Sequence, residues 1–129
     1  MTQPSRTILP LTLDHIGRGS DPFAVLARHR GDRVRLGAIA NGMRAVFRQL
    51  DAGVCECSQC EMRFERGTEP AFISVATVAA EGDAPPLAIV LPWCSRCAPD
   101  DAAASRAAKA YLREAIPGGL IEPSAAGHA

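Results

Sequence analysis

The clearest hydrophobic pattern in the chain predicts a helix over residues 33–51. Six apolar side chains recur at helical spacing and fall on one arc of roughly 120° when each residue turns the wheel by about 100°. They are Leu36, Ile39, Met43, Val46, Phe47 and Leu50. Asp32 is the expected N-cap and Gly53 the expected terminator. Gly37 and Gly42 disfavour the helix by up to about 1 kcal/mol each.

Two shorter helices are predicted from their start signals. Asp21 and Pro22 favour a helix over 22–30, since Asp is a good N-cap and Pro suits the first helical position. Its expected buried residues are Phe23, Leu26 and Ala27. The last helix is predicted over 101–115, after Pro99. Its apolar stripe comprises Ala104, Ala108, Tyr111, Leu112 and Ala115.

Two short apolar runs predict a β-hairpin. Residues 71–80 (AFISVATVAA) and 87–91 (LAIVL) flank the turn-forming stretch EGDAPP, and Pro92 is expected to end the second strand. A third run, residues 7–13, is predicted to form an edge strand, because Pro10 lacks the N–H that a central strand would need.

These elements predict an α+β fold, in which an N-terminal helical segment is followed by a β-hairpin and a C-terminal helix. Four segments are expected along the chain. They are an extended or irregular N-terminus (1–20), a two-helix segment (21–53), a unit of hairpin and helix (54–119) and a flexible tail (120–129).

The composition narrows this picture. Hydrophobic residues make up 47% of the 129 residues but aromatic residues only 5%, so we expect a small core that a bound metal would help to stabilise. Fourteen basic residues balance fourteen acidic ones, which disfavours a strong nucleic-acid binder. No apolar run reaches the roughly 18–20 residues of a membrane span, so no membrane association is expected.

The five cysteines supply the candidate chemistry. Four of them form two CxxC pairs, Cys57 with Cys60 and Cys94 with Cys97, and 33 residues separate the pairs. Each CxxC is a turn that can direct two thiolates at one ion, so two such turns supply the four soft ligands of a closed tetrahedral zinc site. The fifth thiol, Cys55, either competes with Cys57 as a ligand or is a buried thiol; the CxxC spacing favours Cys57.

The order of these motifs resembles the treble-clef class of zinc fingers over residues 55–118, about half of the chain. In that class a CxxC turn precedes a β-hairpin, and the second ligand pair lies near the start of a helix. The resemblance implies a structural four-cysteine zinc site on the two CxxC pairs. A zinc ribbon also uses two such turns, but the helix predicted directly after Cys97 favours the treble clef. Nucleases built on a treble clef need histidines around the hairpin, and none lies between Cys55 and Gly127.

Other uses of the thiols compete with structural zinc. A redox CxxC usually lies at a helix start in a βαβ unit, and a second CxxC makes a shared metal the better interpretation. An iron–sulfur cluster also accepts four cysteines and is kept as a minority alternative. Tight cysteine pairs fit metal thiolates in a reducing cytoplasm better than disulfides, so we expect a cytoplasmic protein.

No catalytic set is visible in the sequence. His15 and His29 lie near Asp14 and Asp32 without a nucleophile motif, so solvated or structural histidines are expected. Walker, HExxH and GxGxxG motifs are absent from the sequence. The sequence therefore favours a non-enzymatic zinc-binding module that engages a protein or a nucleic acid.

Three arginines are candidate contacts for such a partner. Arg33, Arg44 and Arg48 lie on one flank of the predicted helix 33–51, where they form either a phosphate-binding or partner-binding stripe or a solvated face. The same helix is a candidate for self-association. A different class of function remains open, in which Cys55 is the working thiol of a redox or metal-handling protein.

Overall fold

The computed structural model describes residues 10–19, 21–78, 86–116 and 120–123. It confirms a mixed helix-and-sheet fold of the α+β class. In chain order the elements are β1 (Pro10–Gly17), α1 (Pro22–Arg28), α2 (Arg33–Ala52), β2 (Phe72–Val78), β3 (Leu87–Trp93), α3 (Asp101–Ala115) and β4 (Leu120–Pro123).

The four strands of the described residues form one sheet in the order β3-β2-β1-β4. The β1–β2 and β2–β3 pairs are antiparallel, whereas β4 runs parallel to β1. The predicted hairpin is confirmed as the β2–β3 pair; residues 79–85, including the end of its first predicted strand, lie outside the described residues. In the described sheet, β3 and β4 are therefore the two edge strands.

The N-terminal strand lies at the centre of the sheet, which corrects the edge strand predicted over residues 7–13. β1 pairs with β2 on one side and with β4 on the other. Pro10 is compatible with this position because it is the first residue of the strand, where a missing N–H does least damage to the ladder. Residues 1–9 lie outside the described residues.

The second edge strand, β4, lies where the sequence predicts a flexible tail. Its pairing with β1 runs from Leu120 opposite Pro10 to Pro123 opposite Leu13. Because β4 runs parallel to its neighbour β1, it needs a long crossover connection and not a tight turn. The helix α3 provides this connection, since it links β3 at one edge of the sheet to β4 at the other and contacts β2 and β1 between them. Residues 124–129 lie outside the described residues.

Pro92 does not end β3, contrary to the prediction, because the strand continues to Trp93. The carbonyl of Pro92 accepts a hydrogen bond from the Ser58 N–H, whereas the carbonyl of Trp93 accepts one from Ala71 beside β2. The backbone of Pro92 therefore faces the outer side of the edge strand, where a residue without an N–H breaks no bond of the ladder.

Each of the three helices in the described ranges begins on an aspartate N-cap. The side chains of Asp21, Asp32 and Asp100 accept hydrogen bonds from the backbone N–H groups of their own first turns, at 2.8–3.0 Å. Gly53 closes α2 with a φ of 70°, the left-handed conformation that glycine adopts without strain. The first helix ends at Arg28, two residues earlier than predicted.

The helices cover both faces of the sheet. Val90 and Trp93 are an odd number of residues apart in β3, so their side chains point to opposite faces. Val90 packs against α2 at Gly42, so closely that a Cβ on this glycine would stand 2.6 Å from Val90 Cγ2. Trp93 lies edge-on to Tyr111 of α3, with 6.5 Å between ring centroids. The α2 and α3 helices therefore pack on opposite faces.

The predicted stripes of α2 and α3 are correct in part. Phe47 is 43% exposed and Tyr111 is 40% exposed, because the buried face of each helix is rotated away from them, toward Val46 in α2 and Leu112 in α3. Ala115, the last residue of α3, is exposed as well. The residues of the two stripes that are buried as predicted are Ile39, Met43 and Val46 in α2 and Ala104, Ala108 and Leu112 in α3.

The predicted face of α1 is correct at Leu26, which packs partly buried against the core, and wrong at Phe23 and Ala27. Val25 and His29, four residues apart, are the buried residues at this helix. Phe23 and Ala27 each lie two residues from Val25, about 200° around the helix, and so they point away from the sheet. Phe23 is accordingly 72% exposed.

Asp14 is a buried carboxylate on the central strand. Its side chain has no exposed surface. Its Oδ1 accepts a hydrogen bond from Arg28 Nη1 at 2.6 Å, and its Oδ2 lies 3.4 Å from His29 Nε2. Since both partners stand at the C-terminal end of α1, this cluster fixes that helix to β1.

Replacing Asp14 by alanine is expected to lower the free energy of unfolding by about 2–4 kcal/mol, because a buried ion pair loses one partner. Arg28 keeps 33% of its side chain exposed, so hydration recovers part of the loss. Urea unfolding at neutral pH measures the change. The matched control is Asp21→Ala, which removes an exposed N-cap at about 1 kcal/mol; equal losses in the two variants would contradict a stabilising role for the buried cluster.

Candidate metal centre

The first CxxC pair lies in a tight backbone hairpin, residues 55–64, which we call the first knuckle. The Cys57 N–H donates to the Met62 carbonyl at 2.8 Å, and the Phe64 N–H donates to the Cys55 carbonyl at 2.8 Å. Glu61 adopts a φ of 62°, which closes the turn. The buried ring of Phe64 packs in the hydrophobic core, so the knuckle is held by the sheet and helices around it.

The second CxxC pair follows β3 directly, at residues 94–97, which we call the second knuckle. The Ala98 N–H donates to the Cys94 carbonyl at 2.9 Å. Three residues after Cys97, the Asp100 cap opens α3. The second knuckle is therefore the junction between the edge strand and the last helix.

Two hydrogen bonds attach the first knuckle to β3 and to the second knuckle. The Ser58 N–H donates to the Pro92 carbonyl at 2.9 Å. The Cys94 N–H donates to Cys57 Sγ at 3.3 Å, so one cysteine of each pair is joined through a sulfur acceptor. This contact is of the kind that stabilises a thiolate beside a metal ion.

The four paired cysteines converge on one point. The Sγ atoms of Cys57, Cys60, Cys94 and Cys97 all lie within 4.8 Å of one another, and none of the five cysteines forms a disulfide. Four sulfurs at the usual zinc–sulfur distance of about 2.3 Å, placed at the corners of a tetrahedron, stand about 3.8 Å apart. The Sγ atoms of Cys60 and Cys94 are 3.7 Å apart. These four thiols could therefore hold a single metal ion.

The fifth thiol lies outside this group. Cys55 has 0% of its surface exposed and belongs to the hydrophobic core. Burial raises the pKa of the Cys55 thiol, and the nearby Cys57 and Glu56 raise it further by a smaller amount. Cys55 is thus a protonated core side chain, whereas Cys57 faces the cluster.

The cluster has a buried side and an exposed side. Cys57 and Cys94 are buried, Cys97 is half-buried and Cys60 is exposed. Burial acts to raise the pKa of Cys94, but hydrogen bonds from the Cys97 and Arg96 backbone and from neighbouring thiols outweigh it and lower the pKa to about 7. Burial and the neighbouring thiols raise the pKa of Cys97 to about 12. Without a cation, the four sulfurs therefore do not all ionise near neutral pH.

Metal affinity is expected to rise with pH for this reason. Cys97 still carries its proton at neutral pH in the free cluster, and a metal ion must displace it. For each proton displaced, the association constant rises roughly tenfold per pH unit, so it should rise about tenfold or more per unit between pH 6 and pH 8. Calorimetric titration in buffers of different ionisation enthalpy measures the association constant and the number of protons released. A pH-independent affinity without proton release would contradict binding through these thiols.

Two arginines lie in or beside the knuckles, but among the described residues neither the Arg63 nor the Arg96 side chain donates a hydrogen bond to a cysteine sulfur; Arg96 acts on Cys94 through its backbone. Arg63 Nη2 lies 3.9 Å from Glu56 Oε1. The candidate partner-binding residues Arg33, Arg44 and Arg48 are exposed on α2.

A serine–histidine contact is the one arrangement among the described residues that resembles a catalytic pair. Ser74 Oγ lies 2.9 Å from His15 Nδ1 and accepts the Trp93 indole N–H at 2.7 Å. Ser74 has 0% of its surface exposed, so no substrate reaches its hydroxyl. Burial lowers the pKa of His15, consistent with a neutral imidazole in a structural network. The sequence did not predict this contact, because its members lie on two strands far apart in the chain.

Comparisons with protein-family models, with curated proteins and with solved structures find no match for this chain. Within the described ranges, no helix combines the length and apolarity needed to cross a bilayer.

Proposed function

We propose that the protein is a non-enzymatic binding module whose fold is stabilised by one structural zinc ion on Cys57, Cys60, Cys94 and Cys97. The observation that carries this proposal is the convergence of four sulfurs within 4.8 Å. Thiolates select soft or borderline cations, and a tetrahedral set of four sulfurs is the usual environment of structural zinc.

The size of the cluster supports a single ion over an iron–sulfur cluster. A two-iron or four-iron cluster places several atoms between its cysteine ligands and holds their sulfurs further apart than one ion does. In a two-iron cluster only the two sulfurs bound to the same iron are as close as on one ion, so the convergence of all four sulfurs within 4.8 Å of one another fits a mononuclear site. The cytoplasm, where thiols stay reduced, is the compartment that we propose.

A structural role follows from the coordination. Four protein ligands fill a tetrahedral zinc site and leave no position for water or substrate, so the ion has no open position for chemistry. Its proposed task is to join the first knuckle to the junction between β3 and α3. The order of knuckle, β2–β3 hairpin, knuckle and α3 supports a treble-clef-like arrangement of this unit.

The redox alternative built on Cys55 lacks a reactive thiol. A reactive cysteine is partly exposed and has a lowered pKa, whereas Cys55 is fully buried and its pKa is raised. We therefore do not propose thiol chemistry at this residue.

Metal analysis of the purified protein tests the proposal. We expect one zinc per chain by elemental analysis, the same stoichiometry by native mass spectrometry, and a colourless protein. Absence of bound metal, or a coloured protein that contains iron and acid-labile sulfide, would contradict it.

A further inference from the structure

The outer side of β3 carries backbone groups that point away from the sheet. The Pro92 carbonyl faces outward, toward Ser58, and the Trp93 carbonyl faces β2. Backbone groups alternate sides along a strand, so the N–H and C=O groups of Val90 and Ala88 face outward like those of Pro92. Among the described residues, neither Val90 nor Ala88 forms a backbone hydrogen bond on this side.

A groove of about 510 Å³ lies along this edge. The β3 residues from Val90 to Pro92 form part of its lining. Its other sides come from Ala45 and Gln49 of α2, Val54 and Glu56 of the first knuckle region, and Tyr111 of α3. Val54 is 52% exposed and Tyr111 is 40% exposed. The groove therefore combines exposed apolar side chains with the outward backbone groups of Val90, which form no backbone hydrogen bond among the described residues.

The charge of the groove favours a cationic occupant. Glu56 is the one charged residue in its described lining. The Glu56 side chain is 49% exposed, and its nearest described cation, Arg63, stands 3.9 Å away, which is too far for a hydrogen bond. Among the described residues, no arginine or lysine lines the groove, so it is unsuited to phosphate groups.

We propose that this groove binds an extended segment of a partner protein, which adds to β3 as a further strand. The segment places an apolar side chain in the groove and a lysine or arginine beside Glu56. This inference rests on the proposed function of a binding module. It adds where on the module the partner binds and which kind of partner segment fits there. Backbone hydrogen bonds supply the attachment, and the groove supplies the preference for particular side chains.

A second copy of this chain fits the edge poorly. Antiparallel pairing of two β3 strands about Val90 would bring Ala88 of the second copy alongside Pro92. That position is already taken by the Ser58 N–H of the first knuckle. A short segment that pairs with Ala88 and Val90 and stops before the knuckle avoids this overlap.

Titration of the ¹⁵N-labelled full chain with synthetic peptides tests the proposal. The probes are six-residue peptides that alternate valine with threonine and carry lysine at one end, with a glutamate-ended version and a version with N-methylated backbone amides. We expect the lysine peptide to shift the amide signals of Ala88 and Val90 at millimolar concentration. The N-methylated peptide should not bind, because it keeps its side chains but loses its strand hydrogen bonds, and the glutamate peptide should bind more weakly.

Two variants locate the site. Ala88→Pro removes an outward N–H without breaking a bond to β2 and should weaken binding about tenfold or more; Ala88→Thr keeps the N–H and should bind as the native chain does. Glu56→Gln should lower the affinity for the lysine peptide about two- to fivefold and leave the glutamate peptide no weaker than before.

Several outcomes would overturn the proposal. They are the absence of binding by every peptide, equal binding of the N-methylated peptide, and shifts located away from β3. Binding of a short single-stranded oligonucleotide in the groove would overturn it in favour of a nucleic-acid partner. Zinc content is measured in each sample: a zinc-loaded chain that binds no peptide refutes this inference alone, whereas a metal-free chain refutes the proposed function.

Discussion

Replacement of Cys57 or Cys94 by serine is expected to abolish stoichiometric zinc binding. The first knuckle, β3 and α3 should then no longer unfold as one cooperative unit. These two proposed ligands are the buried pair of the cluster, and the hydrogen bond from the Cys94 N–H to the Cys57 sulfur joins their two knuckles. Structural zinc contributes on the order of 10 kcal/mol of binding free energy in small zinc domains, which is comparable to the whole stability of a domain of this size.

The fifth cysteine supplies a matched control. Cys55 is as deeply buried as Cys57 but lies outside the cluster. Cys55→Ala should keep one zinc per chain and lose about 1 kcal/mol through the removed sulfur. Unfolding by urea, followed by circular dichroism with and without a chelator, compares the variants. Equal zinc loss in the Cys55 and Cys57 variants would contradict the assignment of ligands.

Replacement of Trp93 by alanine is expected to lower the free energy of unfolding by about 3–5 kcal/mol. Trp93 is the largest fully buried side chain of the described residues and is 1% exposed. It packs edge-on against Tyr111, donates its indole N–H to Ser74 and directly precedes Cys94. Since it is the single tryptophan of the chain, unfolding of the variant is followed by circular dichroism rather than by fluorescence.

A phenylalanine at the same position separates packing from hydrogen bonding. Trp93→Phe keeps an aromatic ring beside Tyr111 but loses the N–H donor, so about 1–2 kcal/mol should be lost. The zinc content of this variant should be unchanged. If the alanine and phenylalanine variants lost equal stability, the hydrogen bond to Ser74 and not the packing would be the main contribution of this residue.

The local features of the fold were predictable from the sequence. The helices α1 and α2 begin on the aspartates that the sequence indicates, because an N-cap acts within its own first turn. The two CxxC pairs are likewise local turns, and their equal spacing predicted the four residues that the structure brings together.

The long-range features were not predictable. The central position of β1 depends on pairing with β2 and β4, which lie about 60 and 110 residues away, and no local pattern encodes such pairing. Asp14 and His15 sit inside this strand because Arg28 and Ser74 pair with them in space.

Tertiary context also explains the residues that were misplaced. Pro92 stays within β3 because its backbone faces the outer side of an edge strand. Gly42 lies inside α2 because Val90 leaves no room for a Cβ at that position. In both cases a local penalty is outweighed by a contact that the sequence alone does not show.

X-ray absorption at the zinc edge counts the sulfur atoms bound to the ion. We expect four sulfur neighbours at about 2.3 Å and no oxygen or nitrogen ligand. A first shell that contains three or fewer sulfurs together with oxygen or nitrogen would contradict a closed site on Cys57, Cys60, Cys94 and Cys97.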